Sequence, residues 1–477
     1  MSPPLFPPRR RRRAPLALAC GAAALAWTAA CAQPAQPLDY EQARQRLLDR
    51  SDRLAAARAA VDGKQLQRQG LAGLGGPVVS VAGAAYAYNA NLDISLDPLK
   101  QRIGLFNQAL PTPLQGLLSA VPLPQLPSKY TLERHDTATT ASLAAVWPIY
   151  AGGASQAARG FVEAQAREAQ ADSDKTGDEL GTLLVQRYFG AQLAARAATL
   201  RAAAERTIGE HDAAAARMLA AGVISRVERL QAQAAYEDAR RNAMKARDDA
   251  ELAGVALARL VKAEGAVAPQ TPLFVLTQPV EPLQHFVDAA LQHHPGLSKV
   301  AAKKSQAEQL HAGEEALRKP QVFAFGTREL RTGPADWVAG VGVRWTLYDS
   351  VDRNALAAAS LKQVEQAERT DAQARSDIAL LVEKNWRALE QARRQFLATE
   401  PGIALAQEVL KLRAAGLREG TSTALELIDA ETNQAKVLTE RAQAAYEYVQ
   451  ALAQLLESTG QSEQFAAYLR RADVKVE

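Results

Sequence analysis

Three landmarks recur at one offset of 198 residues (147 to 345) in this 477-residue chain, and that repetition constrains the fold more than any other feature. Trp147-Pro148-Ile149-Tyr150 returns as Trp345-Thr346-Leu347-Tyr348. The heptapeptide from Gly222 to Glu228 returns as the one from Gly420 to Glu426, and Tyr188 returns as Trp386. A shared register argues for duplication, with the copies drawn at residues 33–282 and 283–477.

Each copy opens on a helical stretch, residues 38–69 and 283–317, the second stopped at His294-Pro295-Gly296 where proline and glycine end one helix before another begins. Strand candidates follow at residues 78–89 and 137–150 in the first copy. In the second they lie at 321–331 and 337–347, with Thr332-Gly333-Pro334 as the turn. Along the last strand Trp337, Ala339, Val341, Val343, Trp345 and Leu347 share one face, and Gly340, Gly342, Arg344 and Thr346 the other. Residues 91–130, broken by Pro98, Pro111, Pro113, Pro122, Pro124 and Pro127, read as a large external loop. After each strand pair come two nearly breaker-free stretches, 154–221 with 225–262 and 351–416 with 422–458, which predict helical hairpins of coiled-coil type. At 1.5 Å per residue the first of these helices would reach about 100 Å, the length of a conduit or a stalk.

An apolar row with tryptophan near both ends suits a strand crossing an outer membrane between aromatic girdles. Four strands cannot close a barrel, and open edges cannot sit in lipid, so other copies must complete it. The fold expected is a mixed α and β membrane protein, each chain giving four strands to a trimeric 12-stranded β-barrel that continues as a long α-helical coiled-coil barrel.

Residues 1–32 read as an export signal: Arg9 to Arg13, a short apolar stretch, and Ala30-Cys31-Ala32 as the cleavage site. A second reading makes Cys31 the acylated first residue of a lipoprotein. The other cysteine, Cys20, falls within the signal, so no disulfide is expected of the mature chain. Without the five signal arginines, 51 basic residues stand against 52 acidic ones, and no nucleic-acid footprint survives. Beyond the signal no apolar run is long enough for a spanning helix.

Here the chain resembles the TolC-like outer-membrane efflux family, the outer-membrane factors of tripartite efflux and type I secretion systems. One family signature, a strand ending in Pro-aliphatic-aromatic and two glycines, is matched by Trp147-Pro148-Ile149-Tyr150-Ala151-Gly152-Gly153, with Trp345 to Ser350 as its degenerate second copy. The other, a helix-tip glycine followed by polar residues and an acid, is matched from Gly420 to Ala430. The resemblance implies a homotrimeric exit duct set in outer-membrane lipid and reaching into the periplasm. It is passive, with no cofactor and no enzymatic activity, and is served by a periplasmic membrane-fusion (adaptor) protein and an inner-membrane RND or ABC transporter.

The resemblance also assigns roles. Pro148, Gly152 and Gly153 carry the strand into the helix, and Asp349 or Ser350 would cap the corresponding helix of the second copy. Trp147, Tyr150, Trp337, Trp345 and Tyr348 are the membrane-interface aromatics. Gly222, Ser225, Glu228, Gly420 and Thr423 belong to the helix tips that meet the adaptor. Glu426 and Asp429, three apart on one helix face, would ring the entrance with carboxylates and favour cations. Ser422 and Leu417 depart from the family's best-known pattern, so its gate-locking contacts are not carried over; Arg226, Arg229, Arg413 and Arg418 are the other cations near the tips.

A trimeric surface stalk or adhesin is the alternative, although its strands should cluster at one terminus. His293-His294 lack acids or cysteines at ligand spacing, and Gly70, Gly73, Gly75 and Gly76 precede a strand with no Gly-Lys-Ser/Thr after them, so neither a metal nor a nucleotide site is read.

Overall fold

The structure is a computed structural model that describes residues 36–102, 128–330, 334, 336–348 and 350–476. The expected export signal, Cys31, the turn residues Thr332 and Gly333, and Asp349 lie outside them. Strand β1 (Gln36–Leu38) leads into helices α1 (Tyr40–Arg50) and α2 (Asp52–Gly70), then into strands β2 (Val78–Ser95) and β3 (Lys129–Tyr150). Helices α3 (Ala154–Ala220) and α4 (Arg226–Leu260) form the first hairpin, and strands β4 (Val267–Pro269) and β5 (Leu273–Val275) lead to the second copy. There α5 (Leu283–His293) and α6 (Pro295–Ala316) precede β6 (Gln321–Glu329) and β7 (Trp337–Arg344). Helices α7 (Arg353–Ala398), α8 (Glu400–Glu419) and α9 (Ala424–Ser458) follow, and α10 (Phe465–Arg471) and β8 (Val474–Val476) come last.

Local chemistry sets the breaks. Ser51 ends α1 and, by accepting the Leu54 N–H, starts α2. The stretch expected to be one helix over 351–416 is two, parted at Thr399. Pro401 has no N–H to give, and its ring crowds the carbonyl of Leu397. Helix α7 is capped by Asp352, whose carboxylate accepts the N–H groups of Asn354 and Ala355 at 3.0 Å each, and not by Ser350, which is exposed ahead of the cap. In the first hairpin α3 runs unbroken for 67 residues.

The four long strands make one antiparallel sheet in the order β2-β3-β6-β7. The β2–β3 ladder runs from Val78↔Val146 to Ser95↔Lys129, so residues 91–95 and 129–130 leave the expected loop and become strand. Polar side chains bond across the ladder there: Thr131 donates to Asp93 at 2.7 Å. Strand β7 stops at Arg344, and Trp345 to Tyr348 leave the ladder as the chain heads for α7.

Two small sheets were not expected from the sequence, β1 parallel to β4 and β5 antiparallel to β8. Three-residue strands carry no readable periodicity. They surround the main core, where Tyr40, Tyr188, Phe189, Phe274 and Phe465 pack with ring centroids 5.0 to 5.9 Å apart. The Tyr188 hydroxyl donates to the Leu38 carbonyl at 2.6 Å and accepts the N–H groups of Gln270 and Thr271 at 3.0 and 2.9 Å. In the second copy the Trp386 indole donates to the Glu281 carbonyl at 3.1 Å. The first long helix is thus tied to the start of its own copy at Leu38, and the second to Glu281, just ahead of the second copy.

Candidate functional site

Residues directly opposite in an antiparallel ladder share a face. One row crosses all four strands, Val81, Leu143, Arg328 and Trp337, and the next is Val79, Ala145, Gly326 and Ala339. Trp147, Ala324 and Val341 continue this face, and Tyr150, Val322 and Val343 close it. It is an apolar band with aromatic side chains at both ends and one cation, Arg328, level with Trp337. The other face carries Ser80, Ser142, Thr327, Glu329, Gln321 and Arg344, and there Phe323 lies over Gly342 and Phe325 over Gly340. A Cβ on Gly342 would stand 2.6 Å from the Phe323 ring, so any side chain there would force that ring to move.

The register shifts between Trp147 and Tyr150, where three steps on β3 oppose two on β6. Pro148 cannot donate to the ladder, and the extra residue rotates Tyr150 onto the face of Trp147. The Pro-aliphatic-aromatic signature thereby puts both rings on the apolar side, each about half exposed. Trp337, Trp345 and Tyr348 are also exposed, and the Trp345 indole donates to the Arg318 carbonyl at 3.2 Å.

Two residues further on, Gly152 and Gly153 take φ of 68° and 103°. A Cβ on Gly152 would meet the Ala316 carbonyl oxygen at 2.4 Å, so both backbone shape and space exclude a side chain where the strand enters α3 past the end of α6.

The two hairpin tips are built alike. Gly222 and Gly420 turn the chain at φ 72° and 73°, and the next residues, Val223 and Thr421, donate back to Met218 and Gly416 at 2.9 and 2.8 Å. Ser225 and Thr423 then cap α4 and α9: each side chain accepts the N–H of Glu228 or Glu426 at 3.2 Å, and each glutamate accepts the cap's own N–H, at 2.7 and 3.0 Å. These bonds hold the Glu228 carboxyl below the usual carboxylate range.

The sequence reading placed Glu426 and Asp429 together as entrance carboxylates, and the structure separates their circumstances. Glu426 is committed to the cap and to an ion pair with Arg413 on α8 at 3.2 Å. Asp429 is exposed and forms no ion pair among the described residues. In the first hairpin Arg229 pairs with Asp212, and both are largely shielded. Arg226 and Arg418 are exposed, and Leu417 and Ser422 are partly buried. Ile428, which the sequence reading did not single out, is buried against Ile208, Ala215 and Ala232 and joins the second tip to the first hairpin.

His293 and His294 sit at the α5–α6 break, where His294 Nδ1 accepts the Gly296 N–H at 3.0 Å and burial lowers the ring's pKa. Among the described residues no three of His, Cys, Asp and Glu gather as metal ligands, and no helix is long and apolar enough to cross a membrane.

The sequence matches the family described as Outer membrane efflux protein over residues 120–261 and 286–461, the gap falling where one copy gives way to the next. No curated protein matches it in sequence. The fold is similar to the outer-membrane channel OprN (16% identity, 88% of this chain and 90% of that one covered, TM-score 0.70). It is also similar to the CmeC outer membrane channel of Campylobacter jejuni (13%, 91% and 88%, 0.69) and to the open state of the Neisseria gonorrhoeae MtrE outer membrane channel (16%, 89% and 89%, 0.68). The chain belongs to the outer membrane efflux protein family, a TolC-like channel protein of the outer membrane that extends into the periplasm.

Proposed function

We propose that three copies close into one exit duct, which passively conducts substrates handed over by a periplasmic adaptor and an inner-membrane RND or ABC transporter. The observation that carries this reading is the sheet: β2-β3-β6-β7 presents a girdled apolar face yet has two free edges. In lipid those edges must be paired, and pairing β7 of one copy with β2 of the next consumes both. The same circle brings α2 and α4 of one copy beside α7 and α8 of its neighbour. Leu230, Met244 and Leu252 on α4 and Leu380, Leu405 and Leu412 on α7 and α8 are exposed in the single chain and would be covered there. The tips, with their paired caps and glycine turns, are the surfaces offered to the adaptor.

At the entrance Asp429 supplies the free charge, because Glu426 is already answered by Arg413. The expected outcome in planar bilayers is that Asp429→Asn lowers cation selectivity, read as the reversal potential in a salt gradient, by more than Glu426→Gln does. An equal or larger shift for Glu426→Gln would overturn the proposed role of Asp429.

A further inference from the structure

The two strand pairs differ greatly in height. Strands β6 and β7 have nine and eight residues, enough for the apolar band, whereas β2 and β3 continue for twelve more pairs, Ala84↔Thr140 to Ser95↔Lys129. At about 3.3 Å per residue this ribbon extends about 40 Å further, on the side away from the helices. Nearly all of its described side chains are exposed on both faces, and among the described residues no other strand pairs with it. A lone two-stranded ribbon is marginal in water, and its two free edges are templates for further pairing.

In a closed ring of three copies the occupant of those edges is set by continuity with the barrel below. Above the β6–β7 turn, β3 of one copy faces β2 of the next across three strand spacings, about 14 Å. Leaning the ribbons inward closes that gap and continues the wall with six strands instead of twelve. Barrel diameter falls with strand number, so the path there is narrower than within the twelve-stranded wall below. On the ribbon Tyr86 and Tyr88 alternate onto the face of Ser80 and Ser142, the polar side of the sheet, with ring centroids 6.2 Å apart. Asn89 lies on the opposite face.

We infer that the ribbons of three copies pair edge to edge beyond the membrane and narrow the exit of the duct, with Tyr86 and Tyr88 lining the constriction. This rests on the trimeric reading above. The test uses the full chain purified in detergent, as Tyr86→Cys and, separately, Asn89→Cys, treated with a short bis-maleimide beside untreated and wild-type controls; Tyr88→Cys repeats the inward position if Tyr86→Cys does not assemble. The expected result is covalently linked chains at the inward position at several times the level seen at Asn89→Cys. A particle of three chains by native mass that shows no linkage at the inward positions, or equal linkage at both faces, overturns the constriction and leaves the trimer standing. A single-chain mass overturns the trimer itself.

Discussion

Tyr188 and Trp386 occupy equivalent places in the two copies and reach different backbone groups. The pairing of these aromatics was legible in the sequence, but their partners were not, since a carbonyl or N–H brought in from a distant three-residue strand leaves no mark in side-chain pattern. Tyr188→Phe removes the oxygen that serves Leu38, Gln270 and Thr271, and each buried polar group left unpaired costs on the order of 1–3 kcal/mol. A drop in apparent Tm with the helical CD signal retained at low temperature is the expected result. Asp178 behaves in the opposite sense. It lines a cavity of about 810 Å³ beside Tyr40, His293 and Glu463, and burial, with Glu457, Asp174 and Glu463 nearby, pushes its carboxyl up to about 6. The folded chain then keeps a proton that the unfolded chain releases, so stability falls as pH rises from about 4 to about 6. Asp178→Asn should therefore melt higher than the parent at pH 7.5, by on the order of 1–2 kcal/mol after allowance for solvent screening, and close to it at pH 4.

Capping boxes decide how each hairpin resumes after its turn. Ser-x-x-Glu and Thr-x-x-Glu could be read directly from Ser225 to Glu228 and Thr423 to Glu426, yet a carboxylate near a suspected entrance drew the functional reading first. The structure gives Glu426 a local partner on both sides, and the same register holds for Glu228. Thr423→Ala should cost about 1 kcal/mol of local stability and raise amide exchange in the first turn of α9, leaving the first tip unchanged. Long elements were legible because stretches nearly free of helix breakers run for many residues, and α3, α4 and α9 lie within them. The break at Thr399 has its own mark in Pro401, the one proline between residues 351 and 416. The prolines from Pro98 to Pro127 give the whole of 91–130 the look of a loop and hide the end of the β2–β3 ribbon, where Asn91, Asp93 and Ser95 alternate as a solvent-exposed strand requires.

At the scale of the molecule the duplication accounts for the open edges on which the trimeric proposal rests. Two unequal copies give one four-stranded sheet whose outer edges pair with no further strand among the described residues, joined to long helices with exposed apolar side chains, and a wall of this kind would close on other walls. Membership of the outer membrane efflux protein family sets aside the surface stalk or adhesin, and the strands lie once in each copy and not at one terminus. Most of this architecture was legible from the 198-residue register and the girdle tryptophans, whereas the small sheets that gather the core between the copies were not. The central claim is that three such walls enclose an open path. Single-channel recording of the purified protein in a planar bilayer, on a preparation weighed by native mass spectrometry, tests it most directly. The account predicts discrete current steps from a particle of three chains; a three-chain particle that never conducts, or a single chain that does, would contradict it.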